Sequence, residues 1–237
     1  MTAYLRLILT GLLSFSLVVL APLSYAAMDD LDELQEKLGN EWVIVKNDQR
    51  RNIKTYAKQE DGKRYRSFKV EAILDSTVEA GARVLLDAEN YTKWYWEVFE
   101  SKMLKQVSAT EYYIYLKHRA PVSLPDRDVI LHATVTLQKN PSDTLVLNVK
   151  AAPNYIPEQP PLIRMPAEDM IVRVTPLPNN KVQLYAEGYV DPGGEGLPIW
   201  LVNYAQRRTP YSNMIGRQRV ISKCAASDSP IPFKYKE

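Results

Sequence analysis

Residues 187–202 read EGYVDPGGEGLPIWLV, a strand end that runs through an Asp191-Pro192-Gly193-Gly194 turn straight into an amphipathic helix expected from Pro198. Upstream, Pro121–Val129 (PVSLPDRDV) is a proline-rich turn that closes on Arg127-Asp128 and an apolar residue. These two turns frame a run of alternating apolar and polar residues, the pattern of strands with one covered face.

Short strands are expected over Trp42–Val45, Ile53–Lys58 and Tyr65–Leu74, with polar turns at 46–51 and 59–63. Ser76 and Thr77 then open a helix whose apolar face runs over Val78–Leu86. Further strands are expected over Lys102–Val107, Glu111–His118, Val129–Leu137, Thr144–Ala151, Met170–Thr175 and Val182–Val190. Asn140–Asp143 and Pro176–Asn180 separate pairs of them, as in an antiparallel meander. Residues 153–166, with five prolines, read as a long loop within one domain. The class is α+β with a mostly antiparallel sheet.

The two turns resemble those of the StAR-related lipid transfer (START) family, which carries them in the same order, and Trp94 sits where that family places a tryptophan after its second helix. The resemblance covers roughly 70–220 and implies a helix-grip fold (START/Bet v 1-like): a curved antiparallel sheet around a long C-terminal helix that roofs an internal hydrophobic cavity. It implies a structural role for Arg127, Asp128, Asp191, Pro192, Gly193 and Gly194, and Arg164 is similar to another family arginine. One departure stands out. Sterol-carrying members place an inward arginine six residues after the arginine of Arg-Asp, where this chain has Ala133, and their acidic partner aligns with Tyr115. A sterol cargo is therefore disfavoured.

Alternation assigns the inward face. From Val129 the apolar row is Val129, Leu131, Ala133, Val135 and Leu137; on the next strand it is Leu145, Leu147, Val149 and Ala151. Glu111–His118 is ambiguous, and aligning its end with the family motif turns Tyr113 and Tyr115 inward, to hydrogen-bond either a head group or one another or buried water. That choice turns His118 outward, with His132. On the last helix Leu197, Trp200, Leu201, Tyr204, Tyr211 and Ile215 form the apolar face, and Pro210 marks a kink or hinge. The expected ligand-binding set is thus Trp94, Tyr113, Tyr115, Val129, Leu131, Ala133, Val135, Leu147, Val149, Trp200, Leu201 and Tyr204. The stretch from Leu197 to Lys223 holds five basic side chains and no acid, which points to Arg207 and Arg208 docking transiently on anionic lipid.

The chain opens with Arg6 and an apolar run to Leu23, followed by Ser24-Tyr25-Ala26: a secretory signal peptide over 1–26, cleaved after Ala26, with an uncleaved anchor as the alternative. A periplasmic or secreted START-like domain over 27–237 is expected. Removing Arg6 from the 30 basic residues leaves 29 against 28 acidic ones, so nothing in the charge suggests nucleic acid. A lone cysteine, Cys224, excludes an internal disulfide. With two histidines and one cysteine no metal spacing can be built, and neither a phosphate-cradling loop nor a nucleophile elbow occurs. The expectation is a monomer that binds and transfers a lipid or hydrophobic small molecule, without cofactor or catalytic residue. A cyclase of the polyketide aromatase type and an envelope ligand-sensing module are the alternatives.

Overall fold

The computed structural model describes residues 38–121, 124–139, 143–225 and 231. The leader, the amphipathic helix that Leu31, Leu34 and Leu38 predict over 29–38 except its last residue, Val122 and Ser123 of the proline-rich turn, most of the 140–143 turn and the Cys224 side chain lie outside them. Among the described residues ten strands form one open sheet: β1 (Val43–Asp48), β2 (Ile53–Lys58), β3 (Ser67–Asp75), β4 (Val98–Ser108), β5 (Glu111–His118), β6 (Arg127–Gln138), β7 (Thr144–Ala151), β8 (Ile163–Arg164), β9 (Ala167–Leu177) and β10 (Lys181–Asp191). Helix α1 (Val78–Leu86) and a 3-10 turn (Ala88–Lys93) join β3 to β4, and α2 (Ile199–Ala225) ends the described chain.

The sheet order is β1-β2-β3-β10-β9-β7-β6-β5-β4, antiparallel throughout, with β8 added parallel to β6. β7 pairs β6 only from Leu131 onward, and β8 takes the vacant edge at Arg127 and Asp128. At two residues inside a proline-rich loop, β8 has no periodicity to reveal it. The β9–β10 connection places Asn179 and Asn180 at positive φ, a conformation asparagine tolerates better than other residues with a Cβ.

Thr77 starts α1 by accepting the Ala80 N–H at 3.3 Å, and Val78, Ala80, Ala82, Val84 and Leu85 are buried against the sheet. β6 follows its expected parity: Val129, Leu131, Ala133 and Val135 are all buried core. β5 does not. Its register pairs Tyr112 with Ala133, Ile114 with Leu131 and Leu116 with Val129, and directly opposed residues share a face. Tyr112, Ile114 and Leu116 are therefore the inward row, and Tyr113 and Tyr115 face the other side. The same correction turns His118 inward.

The last helix keeps only part of its expected face: Leu197 is buried and Tyr211 and Ile215 pack against the main core. Trp200 and Tyr204 are exposed, whereas Val202, Gln206, Pro210, Asn213, Met214, Arg217 and Ile221 are buried. The buried stripe mixes polar and apolar residues, so apolar spacing alone located it only in part. A Cβ on Gly216 would lie 2.2 Å from the Trp94 carbonyl oxygen, so glycine is what lets α2 approach this turn. Asn213 Oδ1 accepts the Trp96 N–H at 2.7 Å and fixes the same contact.

Candidate functional site

Between α2 and the sheet lies a mostly apolar hollow of about 300 Å³. Its floor is built in rows across three strands. Val70, Ala186 and Val172 are register partners on β3, β10 and β9, and Phe68 and Met170 flank Gly188 in the next row. The roof is α2 from Leu201 to Arg217, and Tyr95, Trp96, His118, Arg119, Pro121 and Leu124 complete the lining. Continued onto β7 and β6, the first row meets Leu147 and then Val135. There the space is filled: Leu85, Tyr91 and Trp94 cover Leu131, Ala133, Leu147 and Val149, leaving a void of only about 20 Å³. Tyr95, Met170, Val172 and Arg217 border both spaces.

A polar cluster occupies the buried end. Glu168 is 1% exposed, accepts a hydrogen bond from the Tyr95 hydroxyl and lies 3.2 Å from His118 Nε2. Burial works against its ionisation, but His118 and the Tyr95 hydroxyl outweigh it and hold the carboxyl below its usual range. Burial and the Glu168 carboxylate push the Tyr95 hydroxyl well above its ordinary value, so it remains a donor. Tyr95 in turn stacks on Trp94 at 5.2 Å. Arg217, 6% exposed, lies 4.4 Å over the Trp94 ring, and its Nε and Nη1 hydrogen-bond to nothing among the described residues. Burial pushes its guanidinium down to about 10, so it is charged at neutral pH.

Of the residues expected to bind ligand, Leu201 and Tyr204 line the hollow. Trp94, Leu131, Ala133, Leu147 and Val149 border the small void, Val129 and Val135 are closed core, and Trp200 is on the surface. Tyr115 donates to Asp128 at 2.9 Å, and Tyr113 stacks between His132 and Tyr155 at 4.8 and 3.9 Å. Neither reaches the hollow. Arg207 and Arg208 lie along α2, with Arg208 exposed and its guanidinium 5.4 Å from the Tyr204 ring.

The turn motifs converge beside the hollow. Arg164 grips the fully buried Asp128 through two 2.9 Å bonds and donates to the carbonyls of Ile156 and Pro157 at 3.0 and 3.1 Å, which anchors the proline-rich loop. Arg127 donates to the carbonyls of Pro125 and Pro192, and Asp191 accepts the Gly193 N–H at 2.9 Å. Gly193 has φ +65 and a Cβ there would meet the Arg164 carbonyl at 2.7 Å, so the turn requires glycine on both counts. The motif therefore clamps the entry of α2 to the sheet.

Sequence reasoning missed Tyr95, His118, Glu168 and Arg217. Glu168 was findable, because it shares parity with Met170, Val172 and Val174 on β9. His118 would have followed from pairing β5 against the unambiguous β6. Arg217 was hidden in a basic run that reads as a solvated face.

No family model matches the chain. An uncharacterized protein of Pseudomonas aeruginosa is 26% identical over 186 residues, 78% of this chain and 89% of that protein. Among solved structures, a fragment of a STAR-related lipid transfer protein from Xanthomonas axonopodis superposes with a TM-score of 0.70 at 26% identity, over 76% of this chain and 98% of that one. Human STARD10 gives 0.66 at 18% identity, over 86% and 80%. The chain thus has the helix-grip fold of the StAR-related lipid transfer proteins and is a structural relative of that family.

Proposed function

We propose that this protein binds a lipid or other hydrophobic molecule in the hollow beneath α2 and carries it without chemically altering it. The hollow itself is the observation that carries this proposal. A water takes about 30 Å³ in the liquid and a methylene is comparable, so 300 Å³ holds at least roughly ten such groups. At about 0.8 kcal/mol per methylene the gross gain is on the order of 8 kcal/mol, from which the cost of ordering the ligand subtracts.

Entry falls to the N-terminal half of α2. Leu197 and Val202 belong to a small cluster with Tyr65, separate from the main core that holds Met214 and Ile221. The first turns can therefore lift about Pro210 while the later ones stay packed. Ile199, Trp200 and Tyr204 are exposed there, suited to insertion into a bilayer surface, with Arg207 and Arg208 beside them to meet anionic head groups. Among the described residues no helix is long and apolar enough to cross a membrane. Export by the leader, to a periplasmic or secreted location, belongs to the same proposal.

Native mass spectrometry of the protein purified from its own compartment tests it. An exchangeable apolar ligand is expected. A ligand-free protein that extracts nothing from vesicles overturns the proposal, and turnover of a cyclisable polyketide replaces it with the enzyme. For docking, Arg207→Gln with Arg208→Gln should slow uptake from anionic vesicles about fivefold or more relative to neutral ones, given about 1 kcal/mol per basic side chain near a charged surface. Equal slowing on both removes the docking step.

A further inference from the structure

The most costly group around the hollow is Arg217. A guanidinium taken out of water is stable only when paired or hydrogen-bonded, yet this one has a ring face on one side and two nitrogens without an acceptor. The carboxylate on the same wall has nearer company: Glu168 accepts from the Tyr95 hydroxyl and lies 3.2 Å from His118 Nε2. Asn213 is committed to the Trp96 N–H. Gly216 and the Trp94 carbonyl bring this turn of α2 into contact with the 3-10 turn, so the guanidinium has little room to swing out to water. The chain thus aims a fixed, desolvated cation into an apolar space.

We infer that Arg217 is the anchor for the anionic head of an amphiphile, a carboxylate or phosphate that enters head first and leaves its tail against Val70, Met170, Val172 and Ala186. This inference rests on the binding function proposed above and narrows the ligand class. A planar guanidinium presents parallel N–H donors that match the oxygens of a carboxylate or phosphate. The space takes at least one acyl chain, because roughly ten or more methylene-sized groups fit it. Head-first entry follows from the layout: Arg217 is at the buried end, whereas Tyr204, which also lines the hollow, is 38% exposed near the start of α2.

The test titrates the purified, delipidated protein with decanoate, decyl phosphate and decanol below their micelle concentrations, using wild type, Arg217→Gln and Arg217→Lys. Wild type should bind at least one of the two anions about tenfold or more tightly than decanol. The preferred anion identifies the head-group chemistry. Arg217→Gln should lose that advantage and keep the affinity for decanol, which also shows that the variant is folded, and Arg217→Lys should retain part of it. Equal affinity for decanol and both anions in wild type overturns the anchor and leaves the hydrophobic-ligand function standing. Anion preference that survives Arg217→Gln likewise overturns it. Failure of all three probes to bind wild type defeats both.

Discussion

Glu168 shows what burial does to a single carboxylate. Its folded pKa is depressed by His118 and Tyr95 against the opposing effect of burial. The stability it contributes is therefore present above the ordinary carboxylate value, about 4.3, and is lost as pH falls through the lower folded value. Glu168→Gln should cost about 1–3 kcal/mol at neutral pH, because Tyr95 and His118 lose a charged partner, and should flatten the acid side of the stability profile. Urea denaturation at pH 7 and at pH 3 checks this: a variant that parallels wild type at both would mean that the cluster carries no linked charge. The tyrosines of β5 belong to the same scale. Strand alternation restricted them to two faces but could not choose between them, since Tyr113 and Tyr115 are no more polar than Tyr112. The hydrogen bond from Tyr115 to Asp128 exists only once β5 and β6 are in register.

At the scale of elements, α2 is one helix with two attachments. Pro210 has no N–H for the Gln206 carbonyl, although the helix continues through it, and the Thr209 hydroxyl donates to Ala205 at 2.7 Å in the same turn. The C-terminal half is tied down by Tyr211 to Asp48 at 2.7 Å and by Met214 and Ile221 in the main core. Pro210→Ala restores the missing backbone bond and stiffens the joint. It should raise stability by about 1–3 kcal/mol and slow ligand exchange several-fold at unchanged equilibrium affinity, measured by stopped-flow release of a fluorescent fatty acid. Unchanged release would move the gate elsewhere. The expected helix start, and its proline, were readable from turn chemistry. Its buried face was readable only in part, because Gln206, Asn213 and Arg217 occupy positions that a globular core would give to leucine.

At the scale of the molecule, the sheet divides into a filled half and a hollow half. Ala186 lies in the hollow and Val135 in the filled core, in one row across the sheet. Ala186→Phe should therefore abolish ligand binding while leaving the melting temperature unchanged or higher, since the ring enters existing space. Val135→Phe should cost about 1–3 kcal/mol through overpacking and spare binding. Calorimetry with and without decanoate separates the two. A comparable loss of stability in both variants would show that the space above β10 is no larger than that above β6.

Local chemistry in the chain determined the elements: α1 is capped by Thr77 and ends at Leu86 as its cap and apolar spacing dictate, β2, β5 and β7 span their expected residues, and the Asp191–Gly194 turn announces α2. Those signals are short-range, and neighbouring residues suffice to set them. Which side of β5 faces in, which stripe of α2 is buried and where the interior stays empty were decided only by tertiary structure. Each depends on partners far away in sequence, such as Trp94 against Gly216 or Ala133 opposite Tyr112, and a hollow is defined by what fails to fill it, which no single stretch of residues encodes.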